Sequence, residues 1–118
     1  ITGASKGIGL GFQFLKHLSR TRLILQMIDV EGKETKDIKE ESKVLLLELK
    51  EYDVNLTEKV KWLVLNKIDL IPKEKQMELK EYFDKQQDLE VSLISAKNRI
   101  GTENLMKEVG FTLEKIDE

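Results

Sequence analysis

The sequence has no cysteine, which excludes disulfides and any thiolate-ligated metal within it. It also lacks an excess of either charge: 20 basic against 22 acidic residues leave a formal net charge of -2, so there is no global basic field for non-specific nucleic-acid binding. No apolar run approaches the roughly 20 residues that a membrane-spanning helix needs, and no charged-then-apolar leader opens the sequence. A cytoplasmic location is therefore the expectation. Histidine occurs once, at His17, and is read as a helix residue without a catalytic role. The first residue is Ile1 rather than methionine, and the chain is expected to be a processed product or a piece of something longer.

What is present fits one small domain: 118 residues, 40% apolar and 36% charged. Four glycines fall within residues 1–11. The order Thr2-Gly3-Ala4-Ser5-Lys6-Gly7-Ile8-Gly9 resembles the NAD(P)-binding turn of the short-chain dehydrogenases, with Asp29 where a ribose-binding acid could stand. A dehydrogenase fragment is therefore the alternative reading. Against it, only Ile1 and Thr2 precede Gly3, too little for the strand that such a turn requires. The catalytic Tyr-x-x-x-Lys is missing too, because Tyr52 is followed by Leu56 and Tyr82 by Gln86 at that spacing.

Leu10, Phe14, Leu15 and Leu18 recur at helical spacing, which predicts a short amphipathic helix. Three β-α units follow in the same rhythm. The first is an apolar strand over 21–30, expected to be covered on both faces, then a helix capped through Asp37-x-x-Glu40 with Ile38, Leu45, Leu49 and Tyr52 at helical spacing. The second is a strand over 60–70 and a helix opened by Pro72, with Leu79, Tyr82 and Phe83 inward. The third is a strand over 89–95 and a helix opened near Thr102, with Leu105, Val109, Leu113 and Ile116 inward and Gly110 its weakest point. Strands alternating with helices predict an α/β fold with a parallel sheet and right-handed crossovers, whose ligands bind beyond the carboxyl ends of the strands.

Two motifs fall at that edge, Asn66-Lys67-Ile68-Asp69 and Ser95-Ala96-Lys97. Their chemistry suits guanine. The Asp69 carboxylate can accept hydrogens from ring N1 and the N2 amine together, whereas adenine offers neither. Sites built around a specific donor reject its absence by about 10⁴ to 10⁵ in selectivity. Asn66 can serve the N7 side and tie neighbouring loops, and the Ala96 N–H can donate to O6. The stems of Lys67 and Lys97 can cover the two faces of the base, while Ser95 braces its turn.

With these motifs the chain resembles the P-loop GTPases of translation, and more closely the Obg (CgtA) family. There an Ile-Glu-Gly-Ala segment runs through Gly-Leu-Gly and Phe-Leu-(Arg/Lys)-His to an Arg-Thr pair, as residues 1–22 do here except at Thr2. The resemblance implies a Ras-like fold in three layers, of which these residues are a part: three parallel strands with crossover helices, without the amino-terminal strands and P-loop. Residues 1–118 then form a partial G domain. Residues 1–22 are the second switch region and its helix, with Gly3, Ala4, Gly7, Gly9 and Gly11 as switch residues, and 23–118 are the three β-α units. The resemblance further implies GTP and GDP as ligands, GTP hydrolysis with Mg²⁺ and work on the large ribosomal subunit by the full-length parent. The sequence contains neither Gly-x-x-x-x-Gly-Lys-(Ser/Thr) nor an identifiable first-switch threonine. The catalytic residue is therefore unknown, no metal ligand is assigned in the chain, and the isolated chain is expected neither to hydrolyse GTP nor to bind it tightly. Asp29 is taken as a structural strand end. An open apolar edge along 23–28 also predicts self-association, which a monomer in light scattering at high concentration contradicts.

Overall fold

Burial alternates from one face to the other along a single central strand, and this sets the architecture. The computed structural model describes residues 9–86 and 88–117. Their elements run α1 (Gly9–Leu18), β1 (Ile24–Asp29), α2 (Thr35–Tyr52), α3 (Val54–Lys59), β2 (Val60–Asn66), a 3-10 turn (Ile68–Leu70), α4 (Lys73–Gln86), β3 (Glu90–Leu93) and α5 (Thr102–Asp117). The strands make one parallel sheet in the order β1-β2-β3. Leu63 and Leu65 of β2 pack with Ile28, Ile38 of α2, and Leu79 and Phe83 of α4. Trp62 and Val64 face the other way, onto Leu105 and Val109 of α5. Helices thus cover both faces, and the expected three-layer arrangement is present. Five of the seven residues of β2 are buried. At about 1.5–3 kcal/mol for each large apolar side chain removed from water, β2 is the anchor of the domain.

A third cluster closes the opposite end of the sheet. Leu15 of α1 meets Ile24, Leu49 of α2, Leu56 of α3 and Val60. Within α1, Phe12 stacks edge-on against Tyr52, and Phe14, expected on the apolar face, is half exposed instead. α3 has no counterpart in the sequence expectation. It forms because Asp53 ends α2 in an extended conformation and its carboxylate accepts the Asn55 N–H at 2.9 Å, starting a new helix that buries Leu56 completely.

Other expectations need correcting. The cap of α2 lies one turn earlier, where the Asp37 carboxylate accepts the Glu34 N–H at 3.1 Å. The second and third strands are shorter than 60–70 and 89–95 because a left-handed residue at Lys67 and a polar turn from Ser95 end the ladders. Ile116 is exposed rather than inward, since α5 has by then run past the sheet contacts made by Leu105 and Val109. β1 is not covered on both faces: Met27 is 55% exposed, and no strand among the described residues pairs with its outer edge. Its buried residue Gln26 is polar but satisfied, donating to the Ser42 carbonyl at 3.1 Å and accepting from the Ser42 hydroxyl at 2.6 Å.

Candidate functional site

Parallel pairing brings the carboxyl ends of the three strands to one edge. Asp29 is in register with Asn66, and Leu65 with Leu93. Main-chain bonds continue past the strands: Val30 N–H donates to the Asn66 carbonyl at 3.0 Å, Ile94 N–H to Leu65 at 2.8 Å, and Ile68 N–H to Ile94 at 3.2 Å. The loops after β2 and β3 are therefore set beside each other by backbone bonds before any side chain joins them.

The loop after β2 turns sharply at Lys67, whose φ of 69° and ψ of 32° are left-handed. For a residue with a Cβ this costs on the order of 1–2 kcal/mol, and such strain concentrates at ligand sites. The turn sends the next three residues into the 3-10 turn and leaves the Asp69 side chain exposed, with no hydrogen-bond or ion-pair partner among the described residues. Asn66 is engaged on both sides. Its Nδ2 donates to Asp29 Oδ1 at 3.2 Å, and its Oδ1 accepts the Ala96 N–H at 3.0 Å. The Lys67 ammonium lies 3.2 Å from Asp29 Oδ2. Both ends of that ion pair are nearly half exposed, so its direct contribution to stability is small, roughly 0–1 kcal/mol.

The loop after β3 closes on itself. Ser95 is fully buried and exchanges two backbone hydrogen bonds of 3.0 Å with Ile100, while its hydroxyl accepts the Asn98 N–H at 3.2 Å. Arg99, at φ 57°, and Gly101, at φ 76°, supply the left-handed residues that reverse the chain. A Cβ on Gly101 would stand 2.6 Å from the Leu93 carbonyl oxygen, so only glycine fits without movement of the backbone. Ala96 and Lys97 are exposed at the tip of this loop.

The structure therefore brings Asn66, Lys67, Asp69, Ser95, Ala96 and Lys97 to one edge. Two assigned contacts already have protein partners: the Ala96 N–H, cast as a donor to O6, is bound to Asn66, and the Lys67 ammonium is drawn to Asp29. Asp29, read from sequence as a plain strand end, touches both Asn66 and Lys67. Its signal was available, because an acid ending the neighbouring parallel strand must lie beside the residue that ends β2. Of the residues expected to form the second switch, Gly9 and Gly11 lie in the first turn of α1, and Gly3, Ala4 and Gly7 fall outside the described residues. The dehydrogenase-like motif also falls outside them, except for Gly9. Among the described residues no three His, Asp or Glu side chains converge as a metal site. No helix among them is long and apolar enough to cross a membrane.

No protein-family model matches the chain. Curated proteins do. GTPase Obg of Buchnera aphidicola is 40% identical over 117 aligned positions, covering 95% of this chain and 34% of that protein. GTPase Obg of Clostridium acetobutylicum is 38% identical, and that of Clostridium tetani 40% identical, each covering 98% of this chain and 28% of the relative. The chain thus spans about a third of the length of these relatives, and its three parallel strands with flanking helices are those of a partial Ras-like P-loop GTPase fold. The dehydrogenase alternative finds no support in these relatives.

Proposed function

Because this chain belongs with the Obg GTPases as one part of their length, we propose that its two strand-end loops read the guanine base of GTP or GDP. The observation that carries the proposal is the 3.0 Å bond from the Ala96 N–H to Asn66 Oδ1, which joins the Asn66-Lys67-Ile68-Asp69 and Ser95-Ala96-Lys97 loops at the carboxyl edge of the sheet. Asp69, with its unengaged carboxylate, accepts from N1 and the N2 amine of the base. Asn66 retains one amide hydrogen for N7. Lys67 and Lys97 cover the base with their alkyl stems, and the Ala96 N–H turns toward O6 by sharing or leaving its bond to Asn66.

The parent protein, in this reading, hydrolyses GTP in the cytoplasm with Mg²⁺ held by residues outside this chain, and acts on the large ribosomal subunit. Residues 1–22, with Gly3, Ala4, Gly7, Gly9 and Gly11, serve it as the second switch region. The chain alone contributes base recognition. An Asp69→Asn substitution in the parent protein tests this. Asparagine offers a donor where xanthine presents its C2 oxygen, so preference is expected to move from guanine to xanthine nucleotides by about 10² or more, read by competition binding. An unchanged preference would remove Asp69 from base reading and with it the proposal.

A further inference from the structure

Asp29 lies one strand away from the motif residues, yet it is the group that both of the first two motif residues touch. An ionised carboxylate only accepts hydrogen bonds, and a backbone N–H only donates. Asn66 stands between one of each, with Asp29 Oδ1 at 3.2 Å from its Nδ2 and the Ala96 N–H at 3.0 Å from its Oδ1. These two partners dictate the same orientation of the amide, which fixes which atoms of Asn66 remain for a ligand. The second oxygen of Asp29 takes the Lys67 ammonium at 3.2 Å. That contact is made across the left-handed turn at Lys67 and draws the side chain toward β1. The backbone supports the arrangement, since Asp29 and Asn66 are register partners and Val30 N–H donates to the Asn66 carbonyl at 3.0 Å.

We infer that Asp29 is the positioning residue of the base site: its carboxylate sets the Asn66 amide, and through it the bond to the Ala96 N–H, while holding back the Lys67 ammonium so that the lysine stem is free to lie along a ring. The inference rests on the guanine reading of the two loops. It makes β1 a working part of the site, although β1 carries none of the motif residues.

The test uses the full chain in ¹⁵N–¹H NMR, with guanosine as the probe because it carries the base without phosphates. In Asp29→Ala the Ala96 amide is expected to exchange with solvent about tenfold faster, the core amides of Leu63 and Val64 to keep their rates, and the guanosine dissociation constant to rise by a similar factor. Asp29→Asn keeps an acceptor for Asn66 but no charge for Lys67, so it is expected to restore the Ala96 protection while leaving the Lys67 side-chain signals as they are in Asp29→Ala. Unchanged Ala96 exchange in Asp29→Ala overturns the inference. So does acceleration of Ala96, Leu63 and Val64 together, which is what a merely structural strand end would give. If Asp69→Asn in the parent protein leaves its guanine preference unchanged while Ala96 still responds selectively to Asp29→Ala, the base reading falls and the positioning role of Asp29 stands.

Discussion

The two loops at the carboxyl edge of the sheet are held in opposite ways. The loop after β3 supplies its own constraints: a two-way backbone bridge between Ser95 and Ile100, a hydroxyl acceptor for Asn98 and a glycine seated on the strand it leaves. The loop after β2 has within it only the short backbone bonds of its 3-10 turn, and it is tied from outside by the Asp29 carboxylate at Lys67 and by the Ile94 carbonyl at the Ile68 N–H. A self-closed loop keeps its shape when its neighbours change. A loop held by its neighbours reports on them, and here the loop that carries the proposed base-reading carboxylate is the dependent one.

Substitutions can break this contrast. The largest effect is expected from Gly101→Ala, which places a methyl group against the Leu93 carbonyl in a left-handed conformation and should cost about 2–4 kcal/mol in denaturant unfolding followed by the fluorescence of the single tryptophan, Trp62. A loss under about 0.5 kcal/mol would show that the second loop is not anchored where it leaves β3. Asn66→Ala removes the side-chain link between the loops and is expected to cost less, about 1–2 kcal/mol, because its site is only part-buried. Its distinguishing result is local. Ala96 loses exchange protection while Ser95 and Ile100 keep theirs, and loss at all three would contradict a self-closed second loop. The smallest effect is expected from Arg99→Gly. Relief of the left-handed strain and the added freedom of the unfolded chain nearly cancel, leaving a change within about 0.5 kcal/mol.

Much of this arrangement was legible in the sequence. Apolar periodicity located all three strands and the helices α2, α4 and α5, and β2, buried on both faces, reads as an unbroken apolar run from Trp62 to Leu65. Both motifs could be placed at one edge because a parallel sheet leaves no other position for strand ends. What escaped depends on partners distant in sequence. Asp29 and Asn66 are 37 residues apart, and only pairing the ends of the two neighbouring strands, which neither stretch shows by itself, brings them together. The left-handed turns at Lys67 and Arg99 occur at long, charged residues where propensity argues against them, and they persist because the surrounding backbone bonds determine them. α3 escaped for a different reason: a six-residue helix with one buried leucine has too short a period to stand out.

The strand order β1-β2-β3 repeats the order of the chain. Each strand therefore pairs with the one made just before it, and no long excursion has to be closed before a contact forms. A polypeptide emerging amino end first could add one β-α unit at a time onto the sheet already present. On that path the Asp29–Asn66 contact is available once β2 has docked, whereas the Ala96 bond must wait for β3. The base-binding edge would be completed last, so an arrest of synthesis after α4 would leave Asn66, Lys67 and Asp69 without the Ala96 loop that stands beside them.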